Sequence, residues 1–242
     1  MIRNGIDRVT DAPYRSLLEH LRLGLVSNMS GISPRHGWRS TVDVLPKLFT
    51  VSCLFAPEHG VRGVLGPGEK VSDGRDELTG LYTHSLFEDM VFAPGTGGTD
   101  AAYAPRAGSL RDLDMLVFDM QDVGSRYFTY ASTLLCTMRA CAANRVPLCV
   151  LDRPNPLGGL VTEGGRQADD CVSFIGLMRM PIRHGLTLGE LARYCNEAYA
   201  PSQFTTEPAC LREPMFRRGA AQLHPSLPSA PRSSNPKDWQ MR

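Results

Sequence analysis

Charge of one sign is what this sequence most conspicuously lacks. Its 26 Lys and Arg stand against 25 Asp and Glu for a net charge of +1, which removes any electrostatic reason to expect nucleic acid or an anionic membrane as partner. A small or neutral ligand is expected instead. Cys-x-x-Cys pairs are absent too, and the seven cysteines (53, 136, 141, 149, 171, 195 and 210) are odd in number, with Cys53 and Cys149 inside apolar runs. That pattern argues against a disulfide framework and against structural zinc, and is expected of reduced thiols in a cytoplasmic protein. No apolar leader is visible, since Met1 to His20 is interrupted by Arg3, Asp7, Arg8, Asp11, Arg15 and Glu19. The most apolar stretch, Tyr127 to Ala143, contains Arg139 and lies between Arg126 and Arg145, so it is too short and too interrupted to span a bilayer.

Nucleotide signatures are also missing. Gly63 to Val71 looks superficially like a phosphate loop, but Glu69 precedes Lys70 and Val71 stands where Ser or Thr would hold phosphate and magnesium. No Gly-x-Gly-x-x-Gly follows the first expected strand, where Ser27-Asn28-Met29-Ser30-Gly31 is found. No cofactor and no metal are expected.

What is present is a set of apolar runs that end in polar clusters. Cys53 to Pro57 runs into Glu58-His59, Met115 to Phe118 into Asp119-Met120-Gln121-Asp122, and Leu148 to Leu151 into Asp152-Arg153-Pro154-Asn155. Short apolar runs bounded by turn residues read as buried strands, and ligands collect outside the carboxyl ends of parallel strands. Four carboxylates, a His and an Arg are thus expected along one sheet edge. Arg22 to Asn28 reads as a first strand, Ser40 to Leu48 as a helix and Val51 to Ala56 as a second strand, a βαβ order that implies parallel pairing. Residues 60 to 80 hold six glycines and Pro67 and read as a long loop, with a short apolar piece at Ser85-Leu86-Phe87; residues 93 to 108 read as an exposed insertion. The spacing predicts a strand at 114–118, a helix at 126–144, a strand at 147–151, and a last helix opened by the capping box Thr187 to Glu190. The expected class is α/β: a Rossmann-like, open, mostly parallel sheet flanked by helices over residues 1–200. Beyond it, residues 201–242 carry seven of the 18 prolines without periodicity and are expected to be an irregular tail, of the kind a truncation or altered reading frame leaves.

Each polar cluster has a chemical reading and a structural one. Glu58, placed between Pro57 and Gly60, is positioned for partial desolvation, which raises a carboxyl group's hold on its proton and suits general-acid work; it could equally bond loop amides. Asp119 and Asp122 are three apart, so strand alternation puts them on opposite faces. One then orients neighbours while the other faces the crevice, and Arg126 is the expected partner, structural or catalytic. Arg153 and Asn155, fixed by Pro154 and Pro156, supply oriented donors for sugar hydroxyls, carboxylates or an N-acyl group, with Asp152 beside them. Glu163 and His184 are single polar residues in loops that a solvated or backbone-bonded role also explains.

The blocks Leu54 to Gly63, Val117 to Tyr130 and Leu151 to Gly159, with Gly68 to Ser72, Glu163-Gly164, Pro181 to Gly185 and Thr187 to Leu191 in the same order, resemble the DUF1343 family, whose characterised members are exo-β-N-acetylmuramidases called NamZ. The resemblance covers about residues 5 to 198. It implies a Rossmann-like domain whose crevice a second domain completes, and release of terminal N-acetylmuramic acid from peptidoglycan fragments, without metal or nucleotide. Carried over residue by residue, Glu58 matches the family's candidate catalytic acid and Asp122 and Glu163 match polar positions in or near the cleft; either of these two is expected as the group that assists water or stabilises positive charge. His59, Arg126, Asp152, Arg153, Asn155 and His184 match further polar positions there, and Asn28, Arg62 and Gln121 are expected to bind substrate beside them. A muramyl-sugar binding domain or degenerate fragment, and more weakly a phosphatase-like hydrolase using Asp119 or Asp122, are the alternatives from other classes.

Overall fold

The structure is a computed structural model that describes residues 3–87 and 103–199. Its centre is a six-stranded sheet built from β1 (Leu23–Ser27), β4 (Val51–Ala56), β5 (Gly74–Arg75), β6 (Tyr82–Ser85), β7 (Met115–Asp119) and β8 (Leu148–Val150), in the order β5-β6-β4-β1-β7-β8. Five strands are parallel, and only the short edge strand β5 pairs antiparallel, with β6. Numbered along the chain, the parallel strands lie 3-2-1-4-5, so the order reverses between β1 and β7. A small antiparallel hairpin of β2 (Ile32–Ser33) and β3 (Arg39–Ser40) follows β1.

Strand alternation splits the core between the two faces of this sheet. Val26, Phe55, Leu116, Phe118, Leu148 and Val150 pack with α4 (Thr129–Asn144) and α5 (Leu188–Tyr199). Leu23, Leu25, Leu54, Val117, Cys149 and Leu151 face the other way, with Leu18 of α1 (Ala12–Leu18) and Val42, Val44 and Leu45 of α2 (Thr41–Leu48). Reversal of the strand order sends the helices to opposite faces in this way. Ser52 is an extra residue in β4: Leu23 pairs with Val51 but Gly24 with Cys53. That bulge lets Val51 and Cys53 belong to opposite faces although two positions apart.

Local chemistry explains the helix ends. The Ser40 hydroxyl accepts the Val42 N–H at 3.2 Å to open α2. At α5 the capping box is formed in both directions, with Thr187 N–H donating to Glu190 at 2.9 Å and Glu190 N–H donating to Thr187 Oγ1 at 3.1 Å. No helix of the described residues is long and apolar enough to cross a membrane.

Several expectations are corrected. The helix expected from residue 126 starts at Thr129, because residues 122–128 bend round the end of β7. The loop over 60–80 contains β5, and the apolar piece near residue 85 follows a true strand, β6, whose centre is Thr83 and His84. The insertion over 93–108 falls partly outside the described residues. Of its described part, Tyr103 is no exposed residue: it is fully buried, stacked on Phe174 with ring centroids 3.8 Å apart, and precedes α3 (Ala107–Leu110). The tail over 201–242 lies outside the described residues.

Candidate active site

The carboxyl ends of β1, β4, β7 and β8 bring most of the expected polar residues to one edge, where they form two groups. In the first, Asp119 leaves β7 on the α2 face. Its carboxylate accepts Arg153 Nε at 2.6 Å and Arg153 NH2 at 2.9 Å, together with the Thr41 hydroxyl at 2.5 Å. Arg153 also donates to the Ile32 carbonyl at 2.9 Å. Although burial opposes charge on Arg153, Asp119 holds its guanidinium above the ordinary arginine value. Next to it, buried Asp152 accepts Thr187 Oγ1 at 2.7 Å, Gly189 N at 2.8 Å and Arg153 N at 2.9 Å, which ties the end of β8 to the start of α5. Burial, only partly offset by these donors, pushes the Asp152 carboxyl up to about 6. Asp119, Arg153 and Asp152 thus spend their polar atoms on one another and on the fold.

The second group lies at the strand-order reversal, on the α4 face. Asn28, wholly buried at the end of β1, accepts Ser30 N at 2.9 Å and Ser30 Oγ at 2.6 Å through Oδ1, which turns its amide nitrogen toward the Tyr130 hydroxyl. Ser30 Oγ in turn accepts the Gln121 N–H at 2.9 Å, joining the loop after β1 to the loop after β7. Asp122 takes the Gly124 N–H at 2.6 Å on Oδ2, has His184 Nε2 3.4 Å from that oxygen, and leaves Oδ1 without a hydrogen-bond partner among the described residues. His184 accepts the Leu186 N–H on Nδ1 at 3.2 Å, so in its neutral form the proton sits on Nε2, facing Asp122. Glu58 comes in from β4: Thr129 Oγ1, at the first turn of α4, donates to it at 3.0 Å and the Gly68 amide at 3.3 Å. Tyr130 sits among all of these. Burial above all, and then the nearby carboxylates of Glu58 and Asp122, hold its phenol above the ordinary value against hydrogen bonding with Asn28 and Ser30. Its hydroxyl therefore stays protonated through the neutral range.

The remaining expected residues serve as struts or stand at the rim. Arg126 does not pair with Asp122: it donates to the carbonyls of Gly165 at 2.8 Å and Met180 at 2.5 Å, because with α4 starting at Thr129 the two are not neighbours on a helix. Gln121 donates to the carbonyls of Asp122 at 2.8 Å and Pro154 at 2.9 Å. Asn155 donates to the Leu186 carbonyl at 2.9 Å and presses on Gly124, where an added Cβ would lie 2.3 Å from its oxygen. Arg62 forks onto Asp76, at 2.7 Å from both nitrogens, and reaches Asp43 at 2.8 Å. Glu163 pairs with Arg183 at 2.7 Å with its side chain 63% exposed, apart from the buried group. His59, next to Glu58, has φ 71°, a conformation few non-glycine residues adopt, and its Nδ1 lies 3.1 Å from the Leu65 carbonyl, so that nitrogen is the donor. Among the described residues no group of three or more His, Cys, Asp and Glu is placed to hold a metal ion.

Three hydroxyls of this site, Ser30, Thr129 and Tyr130, were not singled out by sequence reasoning. Thr129 and Tyr130 lie in an apolar helical stretch that masks them. Their signal is the position of that helix's first turn directly after the Asp-x-x-Asp loop.

Comparison with known proteins agrees with this architecture. Residues 23–223 match the family model described as Exo-beta-N-acetylmuramidase NamZ, N-terminal. The chain belongs to this family. It is 38% identical over 202 residues to the peptidoglycan beta-N-acetylmuramidase NamZ of Bacillus subtilis (strain 168), an alignment that covers 82% of this chain and 45% of that protein. Two solved DUF1343 family proteins from Bacteroides fragilis NCTC 9343 share this fold. One superposes with a TM-score of 0.70 at 36% identity, over 84% of this chain and 47% of its own; the other gives 0.66 at 30%, over 84% and 49%. The chain thus spans just under half the length of these relatives.

Proposed function

We propose that this chain carries catalytic groups of an exo-β-N-acetylmuramidase, a glycoside hydrolase that releases terminal N-acetylmuramic acid from peptidoglycan fragments. The observation that carries the reading is that Glu58, held by Thr129 at 3.0 Å and the Gly68 amide at 3.3 Å, and buried Asp122, with one oxygen unpaired among the described residues, stand at the strand-order reversal in a chain of the NamZ family. Glu58 protonates the leaving glycosidic oxygen, its carboxyl oriented by Thr129 and the Gly68 amide. Asp122, aligned by Gly124 and His184, directs water or stabilises positive charge developing on the sugar ring. Burial favours Asp122 over Glu163 as the assisting carboxylate, because a charge shielded from water acts more strongly on the transition state.

The test is release of N-acetylmuramic acid from a chromogenic muramide by the wild type and by Glu58→Gln. Loss of turnover in the variant alone is the expected result, and equal turnover in both overturns the assignment of Glu58. Calorimetry that detects muramyl-sugar binding by a wild type without turnover would assign the crevice to recognition instead.

A further inference from the structure

We infer that the β2–β3 hairpin is an arm that holds the uncleaved part of a carboxylate-bearing glycan, with the Trp38 indole against the apolar face of a sugar ring and Arg39 on a carboxylate. The inference rests on the reading of the crevice as a site for peptidoglycan fragments and adds a contact outside that crevice.

Trp38 is out of place by two measures. It is 69% exposed, so the core gains almost nothing from an indole there. Its φ of 63° is left-handed, a conformation that a Cβ makes unfavourable and that glycine adopts freely. It follows Gly37, itself at φ 70°, in the turn that leads from Pro34–His36 into β3. A glycine at position 38 would suit that turn better, so neither packing nor backbone geometry accounts for the tryptophan. Non-glycine residues held in this region cluster where ligands are clamped. The arm is also firmly braced. Ser33 Oγ donates to Asp7 Oδ1 at 2.6 Å and Arg35 N to the same oxygen at 3.1 Å, Trp38 N donates to the Ser33 carbonyl at 2.9 Å, and Arg153 grips the Ile32 carbonyl at 2.9 Å. An exposed aromatic on a braced arm loses little freedom when a ligand covers it.

The charge of the arm selects among ligands. From Asn28 to Val42 the chain has no Asp or Glu, while Arg35 and Arg39 are both exposed. Asp11 partly neutralises Arg35 at 3.3 Å, whereas Arg39 has no ion pair among the described residues. The favoured partner therefore carries negative charge together with a flat apolar face. Nucleic acid calls for a broader basic surface than two arginines in a chain of net charge +1. A lipid surface calls for apolar area to bury, and Trp38 is the one large exposed hydrophobic residue of the arm. A sugar ring offers a C–H face for the indole, and the carboxylates of a peptide-bearing glycan offer the charge for Arg39. The arm is continuous with the crevice: it leaves β1 just after Asn28 and Ser30, and Met29 between them lies over Gly63 in the loop that follows Glu58, where an added Cβ would fall 2.2 Å from its sulfur.

Cosedimentation of the full chain with insoluble peptidoglycan tests this, with chitin as a neutral glycan and phosphatidylglycerol vesicles as an anionic lipid surface. The wild type is expected to bind peptidoglycan about tenfold more tightly than chitin and to leave the vesicles unbound. Trp38→Gly is expected to weaken peptidoglycan binding about tenfold. The same variant is expected to melt no lower than the wild type, because glycine relieves the left-handed strain. Arg39→Gln is expected to weaken binding about threefold at low salt, a difference that high salt removes. No binding of peptidoglycan, equal binding of peptidoglycan and chitin, vesicle binding that Trp38→Gly abolishes, or peptidoglycan binding unchanged in either variant overturns the inference. Cleavage of the chromogenic muramide by the wild type, measured in parallel, separates the two readings. Turnover without Trp38-dependent binding sinks the arm alone, while Trp38-dependent binding without turnover upholds the arm and sinks the muramidase.

Discussion

Two polar groups stand on the same edge of the sheet and differ in what they have left to give. Around Asp119, Arg153 and Asp152, almost every oxygen and nitrogen is spent inside the fold. Around Asp122, His184 and Tyr130, two buried atoms of opposite polarity, Asp122 Oδ1 and His184 Nε2, lack a hydrogen-bond partner among the described residues. Burial is alike in the two, so burial does not mark the reactive group. Saturation does: the first group clamps β7, β8, α2 and α5 together, whereas the second holds Asp122 by one oxygen and leaves the other unpaired among the described residues.

The sharpest way to break this comparison is Arg153→Leu, which strands the Asp119 carboxylate in the interior. It is expected to cost about 4 kcal/mol in urea unfolding, because removing one partner of a buried pair leaves an uncompensated charge. Glu58→Gln is expected to leave the unfolding midpoint nearly unchanged and to lower muramide turnover about a hundredfold, or roughly 3 kcal/mol of barrier. Should both variants lose stability equally, the distinction between clamp and site fails.

Next is the pH response of Asp152. Its carboxyl rises from 3.8 to about 6 on folding, so the folded state holds its proton longer than the unfolded one and stability falls as pH rises across that interval, by on the order of 3 kcal/mol. Asp152→Asn should flatten melting temperature against pH between about 4 and 6; an unchanged slope would remove Asp152 as its source. The smallest effect sharpens the boundary between the groups: Thr187→Ala removes one half of the capping box and one donor to Asp152, at about 1 kcal/mol in thermal unfolding.

Much of the frame was readable from the chain because its strands are nearly unbroken apolar runs with both faces covered. β4 has the bounds the pattern suggested, and β1, β7 and β8 differ from it by a residue or two. β6 escaped as a strand because Thr83 and His84 occupy its middle, and its place in the sheet depends on pairing with β4, a tertiary fact. α1 escaped because only Tyr14 and Leu18 of its seven residues are buried. At the site, the residue types and the edge they share were evident, but their partners were not. Arg126 looked like the partner of Asp119 or Asp122 because it was expected to open the next helix, and the group that faces Asp122, His184, lies 62 positions further along.

The bulge at Ser52 has a consequence for how relatives should be aligned. An exposed serine whose side chain carries no part of the core can be exchanged freely, yet deleting it would remove the step that rephases β4 against β1 and turn Cys53 to Ala56 toward the opposite layer. Substitutions should therefore pass at this column while gaps should not. The spacing from Val51 to Glu58 works as a ruler, measured in residues counted and indifferent to which residue fills that one notch.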